Sequence, residues 1–188
     1  MAIFAAHDGR RRDVIRMGHP VLRQRAEEVP SSRFGTRALR DLGRDLVRTM
    51  FEENGAGLAA PQIATPLRVF AYQVPAEKNQ PAVPPTVLVN PVLTFEDGAK
   101  ELGWEGCLSI PGLRGLVPRH PRVQVAAFDV DGAALSFVAE GFHARVIQHE
   151  FDHLDGVLFI DRMADLRALY FEEEWEEYAL HKDLPVEA

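Results

Sequence analysis

The stretch Gln148-His149-Glu150-Phe151-Asp152-His153 contains the pattern His-Glu-x-x-His, and the rest of the chain is organised around it. In a helix, residues four apart share a face, so the imidazoles of His149 and His153 can grip one metal ion. Glu150, next to the first of them, can then reach a water on that ion and take its proton. The flanks predict a helix. Phe142, Val146, His149 and His153 keep one inward face, Gly141 precedes them, and Asp155-Gly156 is a stop signal. An ordinary core or surface helix carrying two histidines reads the same way. The motif therefore needs a third protein ligand before it means catalysis.

Composition narrows the setting. A chain of 188 residues suits one domain, residues 1–188, with a core of its own and no linker between modules. The single cysteine, Cys107, excludes an intrachain disulfide and suits a reducing, cytoplasmic compartment. No apolar run is long enough to span a membrane, and Ile3 to Ala6 is too short for a signal sequence, with Arg10, Arg11 and Arg12 after it rather than before. A net charge of −7 argues against non-specific nucleic-acid binding.

Along the chain, residues 1–13 read as a polar arm, and Gly18 and Pro20 mark a turn anchored by Val21 and Leu22. Leu39, Leu42, Leu46 and Met50 predict a helix, capped by Ser31, Ser32 or Thr36 and ended by Asn54-Gly55. Strands are expected at Leu67–Val74 and at Thr86–Phe95, the latter interrupted at Asn90-Pro91, with Pro75–Pro85 an irregular loop between them. Further short strands are expected at Leu116-Val117, Val123–Phe128 and Leu135–Val138, the last two joined by a hairpin at Asp129–Gly132. After the motif helix, Val157–Ile160 reads as a strand and about Asp165 to Tyr178 as a closing helix, within an acidic helix and tail over 163–188. The fold class is α+β: short, mostly antiparallel strands around a central metal-binding helix, with an N-terminal and a C-terminal helix.

Two other segments bear on the motif. Gly55-Ala56-Gly57-Leu58-Ala59-Ala60-Pro61-Gln62 is a run of small residues, either a tight connection or bare backbone open to a ligand. Gly103-Trp104-Glu105-Gly106-Cys107-Leu108-Ser109 carries the only thiol. A buried cysteine is commonly an inert small hydrophobe, but a thiolate beside two imidazoles completes a Cys-His-His set with one position left for water. The remaining histidines outside the motif, including His120 and His143, have no ligand-like setting.

Taken together, Gly55–Gln62, Glu105–Ser109 and Gln148–His153 match, in order and spacing, the three motifs of the peptide deformylases. The resemblance runs from about Val14 to Arg162 and takes in Gly18-x-Pro20-x-Leu22-Arg23. It implies that Cys107, His149 and His153 hold a divalent metal, Fe(II) in the family's usual case, with nickel, cobalt or zinc as alternatives. It implies Glu150 as general base, and the Gln62 amide with the Leu108 N–H as donors to the oxyanion. The activity implied is hydrolysis of the N-formyl group from formyl-methionyl nascent peptides. Ala56 and Gly57 would pair with the extended peptide, Phe142 and Val146 would line the methionine pocket, and Arg114 would lie near the bound chain. Glu105 and Arg119 match a supporting ion pair. Arg145 stands where many relatives have an aliphatic residue, so its stem is expected along the pocket and its charge outward in solvent.

The acidic residues Glu172, Glu173, Glu174, Glu176 and Glu177 argue against docking on ribosomal RNA through the last helix. Two other readings stay open. One is a His-Glu-x-x-His metallopeptidase, whose third ligand usually lies downstream. The other is a catalytically silent metal-binding module.

Overall fold

The structure is a computed structural model and describes residues 8–76, 81–95 and 98–180. Thr36 caps the first helix, α1 (Arg37–Glu52), by accepting the Leu39 N–H. Its apolar stripe of Leu39, Leu46, Val47 and Met50 is fully buried. The polar stretch ahead of it lies along this helix, with the Arg10 N–H on Asp45 (2.9 Å) and the Arg12 N–H on Thr49 Oγ1 (2.9 Å).

Five strands follow in one antiparallel sheet, in the order β1 (Gly57–Ala59), β2 (Val69–Val74), β3 (Val83–Phe95), β6 (Arg122–Phe128) and β7 (Ala134–Glu140). Successive side chains point to opposite faces, and the sequence uses both. Val69, Ala71, Val87 and Val89 meet α1, whereas Phe70, Tyr72 and Leu88 meet α2 (Gly141–Leu154) on the other side. The expected interruption at Asn90-Pro91 is a register shift between Val89 and Val92. Asn90 sits there at φ 50°, and its side chain bonds both backbone groups of Val29. Val83–Pro85, expected in a loop, belongs to β3 because Val83 pairs with Val74; residues 77–80 of that loop lie outside the described residues.

A second sheet holds β4 (Glu101–Cys107), β5 (Ile110–Arg119) and β8 (Leu169–Phe171). Its small core is Ile110, Val117, Leu158 and Phe159. Two expectations fail here. Val157–Ile160 is not a strand: Phe159–Arg162 makes one helical turn, α3, because the Asp161 carboxylate accepts the Leu158 N–H (2.8 Å) and pulls the chain round. The closing segment is not one helix from Asp165 to Tyr178 either. Leu169–Phe171 pairs with the free edge of β5, and only Glu172–Tyr178 is α-helical, α4. Pairing an open edge satisfies backbone groups that a helix on the surface would leave beside it, and tertiary pairing overrides local propensity. The tail from His181 lies outside the described residues. Helices and antiparallel sheets thus surround α2, an α+β arrangement. Among the described residues no helix is long and apolar enough to cross a membrane.

Candidate metal centre

Cys107 stands at the end of β4, just past a register shift against β5 that turns its side chain toward α2. There Cys107 Sγ and one nitrogen each from His149 and His153 lie within 4.8 Å of one another. The Sγ is 3.3 Å from His153 Nε2. His149 donates its Nδ1–H to Glu105 Oε2 at 2.9 Å, which fixes the tautomer and leaves Nε2 for a metal. His153 Nδ1 is buried with no hydrogen-bond partner. One thiolate and two imidazoles are a fitting donor set for a borderline divalent ion.

The carboxylate behind His149 is more heavily held than an isolated pair. Arg119 grips Glu105 through Nε (2.9 Å) and Nη2 (3.0 Å), and its Nη1 donates to Asp152 on α2. Burial alone would raise the Glu105 carboxyl, but His149 and Arg119 together hold it well below the usual range. Burial would lower His149, and the Cys107 and Glu105 partners outweigh it and hold its pKa well up. His153 is depressed by burial and by the neighbouring His149 charge.

Glu150 points to the same space. It is buried, its Oε2 has no hydrogen-bond partner, and burial pushes its pKa up to about 7. Gly57 lies beneath it: a Cβ at Gly57 would overlap the Glu150 carboxylate. That contact explains the small residue independently of any ligand. Gln62 stands in the helical turn Ala60–Ile63, its Oε1 accepting the Ala59 N–H at 2.8 Å. This bond turns its amide nitrogen toward Ser109 Oγ (3.2 Å) and Cys107 Sγ (3.6 Å). Leu108 follows Cys107 in the turn between β4 and β5.

These groups open into one cavity of about 590 Å³. Ala56, Gly57, Gln62, Cys107, Leu108, Arg114, Phe142, Val146, His149 and Glu150 all line it; His153 lies behind Cys107, buried. β1 is an edge strand, so one side of its backbone faces that cavity. The Ala56 carbonyl is already bonded to Gln73 N (2.9 Å), and strand alternation turns the Gly57 backbone groups to the free side. Arg114 is at the mouth but bonded to Glu172 (Nε, 3.1 Å), with its guanidinium 5.4 Å from the Trp175 ring.

One expectation is overturned. Arg145 does not snorkel into solvent. Its Nη1 donates to Glu105 Oε1 (2.9 Å), Val117 O (2.8 Å) and Gly103 O (3.2 Å), and its Nη2 to Glu101 O (2.8 Å). Strand carbonyls and a buried carboxylate outcompete water for the guanidinium. Trp104, Leu113 and Glu172 also line the cavity, and none was legible as such. Their signals are non-local: Glu172 reaches the site only because β8 adds to β5.

Comparison with known proteins bears on the whole arrangement. The polypeptide deformylase family matches residues 11–168. Peptide deformylase 1 of Nitrosomonas europaea is 50% identical over 157 residues, covering 82% of this chain and 88% of its own. Peptide deformylase 2 of Ralstonia nicotianae is 46% identical over 165 residues, covering 86% and 92%. The Met-Ala-Ser-bound class I type b peptide deformylase of Acinetobacter baumannii superposes with a TM-score of 0.77 at 35% identity, over 82% of this chain and 99% of that one. The Thermotoga maritima peptide deformylase gives 0.75 at 35% identity, over 83% and 99%. With sequence and architecture both shared over most of its length, this chain belongs to the polypeptide deformylase family and is a peptide deformylase, a hydrolase that removes formyl groups.

Proposed function

We propose that Cys107, His149 and His153 hold one divalent metal ion, and that the chain, working as a single domain, uses it to deformylate formyl-methionyl nascent peptides. The observation that carries this reading is the convergence within 4.8 Å of Cys107, at the end of β4, with His149 and His153 on the helix that also presents the buried Glu150. When bound, the ion would supply Lewis acidity and lower the pKa of water in the site. Glu150, buried and with Oε2 free of partners, is placed to hold the proton that an attacking water gives up. A carboxyl raised by burial is a stronger base than an exposed one, so the transfer is well matched. The Gln62 amide, aimed by the Ala59 N–H, and the Leu108 N–H donate to the oxyanion that forms at the formyl carbon. Glu150 then returns its proton to the leaving amine, and formate and a free N-terminus result.

The rest of the cavity holds the peptide. The free edge of β1 at Ala56 and Gly57 accepts an extended chain as an added strand, chiefly through Gly57. Phe142 and Val146 form the wall against the methionine side chain, and Arg114 lies downstream. Fe(II) is the metal we favour, with nickel, cobalt and zinc compatible with the same donors. The setting is the cytoplasm, where formylated chains are made and a thiolate ligand stays reduced. The acidic α4 leaves ribosome contact transient at most.

Cys107→Ala tests the reading. It should abolish stoichiometric metal and formate release together, while wild-type protein releases formate without cutting internal peptide bonds. One tightly bound metal retained in Cys107→Ala would contradict the ligand set, and internal cleavage would favour a metallopeptidase.

A further inference from the structure

We propose that Arg145 is a positioning residue for the metal centre: it fastens the helix bearing both histidines to the strand bearing Cys107, through the carboxylate that orients His149. This rests on the ligand set proposed above.

The proposed metal ligands come from two elements that belong to different core clusters, α2 with Phe70 and Tyr72, and Cys107 with Ile110 and Val117. His149 and His153 are on α2, and Cys107 ends β4. Arg145, one helical turn before His149, crosses that gap. Its four bonds go to Glu101 O, Gly103 O and Glu105 on β4 and to Val117 O on β5. Its side chain is only 13% exposed. Glu105 then relays the position: Oε1 accepts from Arg145 and Arg119, and Oε2 accepts from Arg119 and from His149 Nδ1. Each oxygen thus carries two bonds, and rotation of the carboxylate would break several at once. Arg119 supplies the reciprocal tie, from β5 to Asp152, three residues after His149. His149 is bracketed by two arginines that run in opposite directions across the same gap.

Gly103 is the other half of the device. A Cβ there would stand 2.6 Å from the Arg145 guanidinium carbon. The strand must be bare at this point for the guanidinium to lie flat across it. Lysine cannot replace this arrangement, because one ammonium lacks the planar set of donors that reaches four acceptors.

The test follows metal release rather than turnover. Co(II)-loaded protein is mixed with excess chelator, and loss of the visible absorption gives the dissociation rate. Arg145→Leu keeps an apolar stem and loses the fork; the rate should rise about 10- to 100-fold, the usual effect of losing a partner behind a metal-bound histidine. Gly103→Ala, which displaces the guanidinium from β4, should act in the same direction. The double variant separates positioning from general damage: with Leu at 145, Gly103→Ala should add less than about twofold, whereas independent lesions would multiply. An unchanged rate in Arg145→Leu, or full multiplication in the double variant, would overturn the inference. Should Arg145→Leu fail to fold, Arg145→Lys and Gly103→Ala carry the same comparison. Wild-type protein that binds no stoichiometric cobalt would instead overturn the ligand set itself.

Discussion

In the five-stranded sheet, Val69, Ala71, Val87 and Val89 face α1 and Phe70, Tyr72 and Leu88 face α2, and none of these side chains lines the cavity. In the three-stranded sheet the inward positions are few and mixed. Ile110 and Val117 pack on Leu158 and Phe159, while Glu105 and Arg119 lie buried in the same strands beside Cys107. The first sheet gains its stability from apolar area removed from water on both faces. The second holds charges out of water, which is a poor route to stability, since desolvation offsets much of the attraction. Its buried ions are better understood as orienting groups. Most of the apolar burial thus lies in the first sheet and Cys107 with its buried charges in the second, while the first sheet reaches the cavity only through its edge strand β1; α2 packs against the first and presents its histidines to the second.

That division can be broken by experiment. Phe70→Ala removes a fully buried ring from the α2 side of the large sheet and should cost about 3–5 kcal/mol in denaturant unfolding. The metal stoichiometry of the folded fraction should not change. Loss of metal at undiminished stability would show that the large sheet shapes the centre directly. Gln62→Leu should lower kcat about 10²- to 10³-fold, or roughly 2.7–4 kcal/mol of transition-state stabilisation, with little effect on metal content. Turnover close to wild type would remove Gln62 from the oxyanion site. The smallest effect belongs to the rim. Glu172→Gln cuts the pair with Arg114, where both side chains are more than a third exposed, and should shift stability by about 0–1 kcal/mol or less. A larger loss would mean that α4 is a structural part of the second sheet rather than an appendage.

The same contrast explains what could be read in advance. The large sheet and α1 announce themselves by period: Leu39, Leu46 and Met50 at helical spacing, Val123, Val125 and Ala127 at alternate positions. The cluster of Cys107, His149 and His153, which could hold a metal, was legible because chemistry fixes such residue types and spacing, and two of them sit four apart on one helix. The small sheet has no such rhythm. Leu169–Phe171 looks helical beside the glutamates that follow it, yet becomes a strand because β5 offers an edge. Arg145 departs from the sequence expectation for a related reason. Its stem and charge suit solvent in isolation, and only the fold supplies Glu101 O, Gly103 O and Val117 O as alternatives to water. The contact from His149 to Glu105 spans 44 positions and leaves no local pattern.

Glu150 is proposed to move protons at this centre without binding the metal. Glu150→Gln tests it with two readings from one preparation: metal content by elemental analysis, and formate release from a formyl-Met peptide. The expected result is an unchanged single metal per chain with kcat lowered about 10²- to 10⁴-fold, the usual effect of removing a general base. Loss of the metal along with the carboxylate, or turnover near that of the wild type, would contradict it.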